Sequence, residues 1–138
     1  MILDSSAILA ILFAEPDAAV FAKAISDADS CKISAATFVE VAAVVESQTT
    51  GRGSRQLDAF LRRARVGIEP VTEEQAHLAR EAYADFGKGR HPAGLNFGDC
   101  FSYALAKSTG ETLLFKGNDF SKTDIIPAIV QGSVNFQG

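Results

Sequence analysis

A chain of 138 residues that is 47% hydrophobic, with ten Phe, has the length of one domain and enough apolar content for a core, which excludes a disordered chain. It opens without a basic segment and contains no run of about 18 apolar residues, so neither a secretory leader nor a membrane span is expected, and a cytoplasmic protein is. The net charge of −4 disfavours a uniformly nucleic-acid-coating surface, but the charges are unevenly placed.

In chain order, "MIL" predicts a short buried strand ended by Asp4, with Ser5 and Ser6 as candidate caps of a helix through Leu12. Pro16 suits the first position of a second helix, "PDAAVFAKAISDA". "CKIS" (31–34) predicts a second strand, with Ser34 capping the helix "AATFVEVAAVVESQ". Cys31 and Cys100 lie far apart with no C-x-x-C, which argues against a zinc ribbon or redox motif and for two buried thiols in a reducing compartment. Gly51 and Gly53 interrupt the helical pattern, and Ser54 is the expected cap of the next helix, "RQLDAFLRRA". Residues 52–65 carry Arg52, Arg55, Arg62, Arg63 and Arg65 against Asp58 alone, a basic patch or a solvated helix face. "IEPV" (68–71) predicts a third strand, placed at an edge by Pro70.

Thr72 and Gln75 form a capping box for "EEQAHLAREAYADF". The irregular stretch 87–95 holds a second basic spot, with Lys88, Arg90 and His91. Asn96 caps "FGDCFSYALAKS", Gly110 closes it, "TLLF" (112–115) is a fourth strand, and "DIIPAI" is a candidate fifth, at an edge. The tail "GSVNFQG" has no periodic pattern and resembles an appended protease site; residues 131–138 are set apart from a domain spanning 1–130. Alternating strands and helices imply an α/β fold with a parallel sheet covered on both faces.

In that topology a helix following a strand starts at the carboxyl edge of the sheet, where open α/β folds bind ligands. Asp4 ends the first strand there. Glu40, in the second turn after the second strand, Asp99, in the first turn of the helix before the fourth, and Asp119, after "TLLF", fall on the same edge. Each has a plainer reading: Asp99 as partner of the Asn96 cap, Glu40 as one polar residue of an amphipathic helix, Asp119 as a turn residue. Those readings leave their common edge unexplained. Four nearby carboxylates repel one another, and a divalent cation relieves the conflict; oxygen ligands without Cys or His point to Mg²⁺ or Mn²⁺.

"LDSSA", "FVEVAAVVE", "LNFGDCFSYALAK" and "LLFKGNDFSKTDI", in this order and spacing, resemble the PIN-domain ribonucleases of the VapC toxin type over residues 1–130. The resemblance implies a three-layer α/β/α sandwich around a parallel sheet of four to five strands, and a homodimer. It also implies a metal-dependent endoribonuclease that cuts RNA, often tRNA or rRNA, to arrest growth, and a VapB-like antitoxin that neutralises it. The family's acids fall on Asp4, Glu40, Asp99 and Asp119, while Asn118 stands where some members carry another acid. Asp124 is expected to be a structural or supporting group.

On this reading Asp4 and Asp99 are the principal metal ligands, and Glu40 and Asp119 complete an acidic pocket for phosphodiester hydrolysis. Lys88, Arg90 and His91, with Arg52 and Arg55, are the candidates for holding RNA phosphates, and Ser6 for orienting Asp4. The competing reading is a PIN-like RNA- or protein-binding module without chemistry, which loss of an acid would favour; all four are present. A haloacid-dehalogenase phosphatase needs Asp where Ser6 stands, and a receiver domain needs an Asp after a central strand, which neither "CKIS" nor "IEPV" supplies.

Overall fold

The computed structural model describes residues 1–129, so the tail lies outside the described residues. The elements are β1 (Ile2–Leu3), α1 (Ser5–Leu12), α2 (Ala18–Asp27), β2 (Lys32–Ser34), α3 (Ala35–Gln48), α4 (Arg52–Arg63), β3 (Gly67–Glu69), α5 (Glu73–Phe86), α6 (Asp99–Thr109) and β4 (Leu113–Leu114). A 3₁₀ turn follows at Phe120–Lys122. All strand pairs are parallel, in the order β3-β2-β1-β4. Each crossover carries at least one helix, as parallel pairing requires.

The central strands are short, and their alternation sorts the core into two layers. Ile2 pairs with Leu113 and Leu3 with Leu114, and all four are 0% exposed. Leu3 and Leu114 face a layer with Ile8 of α1, Phe21 and Ile25 of α2, Val41 and Val45 of α3, and Leu57 and Leu61 of α4. Ile2 and Leu113 face the opposite layer, with Ala79 and Ala82 of α5, Leu105 of α6, Phe120 and Ile125. Strands buried on both faces read as unbroken apolar runs, which is why "IL" and "LL" are legible despite their length. Cys31 and Cys100 are buried free thiols. No helix among the described residues is long and apolar enough to cross a membrane.

Several boundaries differ from the sequence expectation. α2 starts at Ala18 after Asp17, so Pro16 lies in the turn before the helix instead of opening it, and β3 ends at Glu69, before Pro70. Asp4, not Ser5 or Ser6, caps α1, its carboxylate accepting the Ser6 N–H; the β1 terminus and the cap are one residue. α4 starts at Arg52 rather than after Ser54, because Gly51 reverses the chain with φ +83°. Ser54 instead donates to Glu46 of α3. "DIIPAI" makes only a bridge to β4, with Leu113 N–H bonding the Ile126 carbonyl and Ala128 N–H bonding that of Leu113. That bridge, between Leu113 and Pro127, is a single pair, so the described sheet has four strands.

Candidate functional site

Asp4 occupies the end of β1 and is 2% exposed. Its backbone N–H bonds the Leu114 carbonyl at 3.0 Å, tying it to β4. Its Oδ2 accepts the Ser6 hydroxyl at 2.6 Å and the Ser6 N–H at 3.1 Å, and its Oδ1 accepts the Ser102 hydroxyl at 2.6 Å. Ser6 Oγ in turn accepts the Lys116 backbone N–H at 2.9 Å, so Ser6 links Asp4 to the segment that follows β4. Ser102 is 0% exposed and meets Thr37 Oγ1 at 3.2 Å. Two hydroxyls and one N–H thus satisfy the buried carboxylate, with no basic side chain paired to it among the described residues.

Asp99 begins α6. Its Oδ2 accepts the Asn96 N–H at 2.9 Å, while its own N–H donates to Asn96 Oδ1 at 2.9 Å, the reciprocal box expected from the sequence. The cap does not exhaust its chemistry. Partial burial raises its carboxyl to about 6 against one opposing Asn96 hydrogen bond, and the charges of Asp4, Asp119 and Glu40 push the same way. Glu40 is half-buried; burial raises its carboxyl, the Ser5 hydroxyl lowers it, and Asp4 raises it again. Its carboxylate lies against Gly98, where a Cβ would stand 2.3 Å from Oε2. Asp119 is exposed at the start of the 3₁₀ turn, with no side-chain capping bond. Asp99 thus feels the charge of three acids from three other segments of the chain.

Among the described residues none of the four forms an ion pair with Lys, Arg or His. Nor do any three His, Cys, Asp or Glu side chains there already surround one point as ligands. Unpaired carboxylates sharing an edge, all with oxygen donors, fit a hard divalent cation that keeps most of its water and takes one or two protein carboxylates. They do not form a closed cage.

Asp124 belongs to a different network. It accepts the Tyr103 hydroxyl at 2.7 Å and Lys107 Nζ at 2.9 Å, locking the 3₁₀ segment onto α6. Burial would raise its carboxyl, but the Lys107 and Tyr103 hydrogen bonds outweigh it and hold it below its ordinary value. His77 lies on the exposed face of α5 beside Glu73, away from the acids' hydrogen-bond network.

Lys88 and Arg90 are exposed in the loop after α5, and neither has an acidic partner among the described residues. His91 anchors that loop, its Nδ1 accepting the Ala93 N–H at 3.0 Å and its ring packing edge-on against Phe86. Arg52 and Arg55 instead border a groove of about 1100 Å³ between α1, α2 and α4, floored by Leu12, Ile25 and Phe60 and flanked by Arg63 and Arg65. None of the four acids borders it. Thr37 and Ser102 carry no signal as isolated residues in a helical pattern; only their spacing, one turn from Glu40 and Asp99, marks them.

Comparison with known proteins follows the same outline. The family model described as "PIN domain" matches residues 1–126. Ribonuclease VapC28 of Mycobacterium tuberculosis is 55% identical over 130 residues, covering 94% of this chain and 98% of that protein. Ribonuclease VapC of Mycolicibacterium smegmatis is 50% identical over 125 residues, covering 91% and 97%. Among solved structures, M. tuberculosis VapC20, described as a sarcin-ricin loop cleaving toxin, superposes with a TM-score of 0.74 at 17% identity, covering 91% of this chain and 95% of that one. VapBC2 of Rickettsia felis, bound to a DNA fragment from its promoter, reaches 0.70 at 17% identity, covering 91% and 94%. These two structural likenesses speak to the fold.

Proposed function

The chain belongs to the PIN-domain family, among the VapC ribonucleases, and from that premise we propose that its four-acid edge hydrolyses RNA phosphodiester bonds as the toxin of a toxin–antitoxin pair. The observation that carries the reading is the arrangement around Asp99: a carboxyl raised to about 6 by burial and by three neighbouring acids, none with a basic partner among the described residues. Such a cluster is costly to a protein that does not use it.

Dependence on a divalent metal goes with the family; we assign the ion as Mg²⁺, with Mn²⁺ able to replace it. Asp4 and Asp99 would hold it, with Glu40 and Asp119 reaching it directly or through water. When bound, the ion polarises the scissile phosphate and lowers the pKa of a water molecule. The chain's own residues do the rest. Ser6 and Ser102 fix both oxygens of Asp4, Asn96 fixes Asp99, and Gly98 lets Glu40 lie close to the start of α6. Exposed Lys88 and Arg90, on the loop braced by His91, would hold RNA phosphates.

The protein partner is a VapB-like antitoxin. The groove between α1, α2 and α4 is its proposed seat: an apolar floor with Arg52, Arg55, Arg63 and Arg65 around it suits an amphipathic helix with acidic residues at its rim. Phe21 of α2 is 6% exposed in the core and does not line this groove. Arg52 and Arg55 therefore pass from the RNA to the antitoxin in this proposal. A cytoplasmic location and a homodimer complete it.

The test is incubation of the purified protein with total RNA, with and without Mg²⁺, followed by mapping of fragment ends. Discrete Mg²⁺-dependent ends that Asp99→Asn abolishes are expected. Identical cleavage by that variant removes the acid-edge assignment. Binding of RNA without cleavage by the wild type favours the non-catalytic module.

A further inference from the structure

Three hydroxyl and carboxylate groups from three separate elements meet beneath the acid edge: Asp4 at the end of β1, Ser102 in α6 and Thr37 in α3. Ser102 and Thr37 are 0% and 1% exposed, so neither bonds solvent. Ser102 lies one turn beyond Asp99 on α6, and Thr37 one turn before Glu40 on α3, so each hydroxyl shares a helix face with an acid.

Proton counting fixes the direction of the chain. An ionised Asp4 only accepts, so the single Ser102 proton is committed to Oδ1 at 2.6 Å. The contact between Thr37 Oγ1 and Ser102 Oγ at 3.2 Å is then donated by Thr37. The hydroxyls point one way, toward the carboxylate, and polarise one another in that direction. We propose that Thr37 and Ser102 are positioning residues whose hydroxyl chain holds Asp4 in the orientation that binds the divalent ion, and holds α3 and α6 at the separation that lets Glu40 and Asp99 serve the same ion. This rests on the nuclease reading above. Ser6 cannot substitute for the chain, because it bonds only the other oxygen, Oδ2.

Groups that orient a metal ligand typically change metal affinity or activity by about 10- to 100-fold when removed. The probe is Mn²⁺, titrated calorimetrically into the full chain, with the Mn²⁺-induced rise in melting temperature as a second readout and RNA cleavage as a third. Ser102→Ala should weaken Mn²⁺ by about 10- to 100-fold and lower kcat with KM for RNA little changed. Thr37→Val, which keeps the shape and removes the donor, should weaken Mn²⁺ less, and Thr37→Ser should restore it. In a one-way chain the Thr37→Val loss disappears once Ser102 is Ala, because its donor no longer reaches Asp4.

Mn²⁺ affinity within twofold of wild type in both single variants overturns the inference, as do losses that simply add in the double variant. If Ser102→Ala does not fold, Thr37→Val against Thr37→Ser decides alone, and equal affinities overturn it. A wild type that neither binds Mn²⁺ nor cuts RNA removes the nuclease reading and this inference with it. A wild type that does both while the variants match it removes this inference only.

Discussion

The carboxylate of Glu40 lies where a side chain on Gly98 would be: a Cβ there would stand 2.3 Å from Oε2 and 2.8 Å from Cδ. The backbone does not require glycine, since φ −63° and ψ −39° are ordinary helical values. What requires it is the approach of an acid from α3 to the first turn of α6, where the helix N-terminus favours negative charge.

Gly98→Ala therefore separates two effects. Ala in a helical conformation should stabilise the backbone by about 0.4–1 kcal/mol, whereas the clash must displace Glu40. The expected result is a folded protein whose Mg²⁺-dependent cleavage falls by about tenfold or more, a loss of order 1.4 kcal/mol in transition-state stabilisation. Circular dichroism and single-turnover kinetics on the same preparation check it; unchanged cleavage would show that the position of Glu40 does not matter.

The strands, the parallel sheet and the common edge of the four acids were legible because each rests on local chemistry: apolar runs, caps at Ser34, Thr72 and Asn96, and the rule that helices leave strands at the carboxyl edge. Two things were not. A Ser in the middle of a helical pattern looks the same whether it faces solvent or a buried Asp4, so Ser102 and Thr37 emerge only once α3 and α6 are packed. Likewise Arg52 and Arg55 read from the sequence as a basic patch or a solvated helix face, and the groove they border emerges only once α4 is packed beside α1 and α2. The expected fifth strand is reduced to one bridge between Leu113 and Pro127, a length of pairing that the apolar run "DIIPAI" does not reveal.

Asp99 gives the metal-free protein an inverted acid response. Its folded-state carboxyl is raised to about 6 from an ordinary 3.8, mainly by burial, so the folded form binds the proton more tightly than the unfolded chain. Its contribution thus favours folding most at low pH and is lost as pH rises through about 6, opposite to a salt-bridged acid. Asp99→Asn keeps an acceptor for the Asn96 N–H and removes the charge. At about pH 7.5 with chelator it should melt higher than wild type, by about 1 kcal/mol after solvent screening of a partly exposed group. At about pH 4, near the ordinary carboxyl value, the difference should nearly vanish, and saturating Mg²⁺ should reverse it. Calorimetry at the two pH values checks it; a variant less stable than wild type at the higher pH would mean that the charge is not under strain.

The Tyr103–Asp124–Lys107 network is predicted to matter for stability and not for chemistry. Tyr103→Phe deletes a hydroxyl that donates to Asp124 at 2.7 Å and should cost about 1 kcal/mol, with RNA cleavage unchanged at temperatures well below melting. The carboxyl of Asp124 is held below its ordinary value, so the network's contribution is present above about pH 4 and lost as pH falls through the lowered value. Melting curves of wild type and variant should converge toward acid. A cleavage defect would place Asp124 in the site instead.

The two basic regions should separate by partner. Lys88 and Arg90 are exposed on a loop braced by His91 against Phe86 and have no acid beside them among the described residues, the condition in which a cation is available for phosphate. In an Asp4→Asn background that binds without cutting, Lys88→Ala with Arg90→Ala should weaken RNA of any sequence. The slope of log affinity against log salt should fall by about 0.7 for each single-strand phosphate that the variant no longer neutralises. Arg55 and Arg63 stand around an apolar floor that no acid of the site borders. Arg55→Glu with Arg63→Glu should leave RNA affinity within about twofold and weaken the antitoxin by about 2–5 kcal/mol if its acids meet both arginines, because reversal turns attraction into repulsion at a desolvated contact. Growth offers the same separation: the groove variant should escape neutralisation and arrest cells even with antitoxin present, whereas the loop variant should be less toxic without it. A groove variant that loses RNA binding while keeping its antitoxin would exchange the two assignments, returning Arg52 and Arg55 to the substrate.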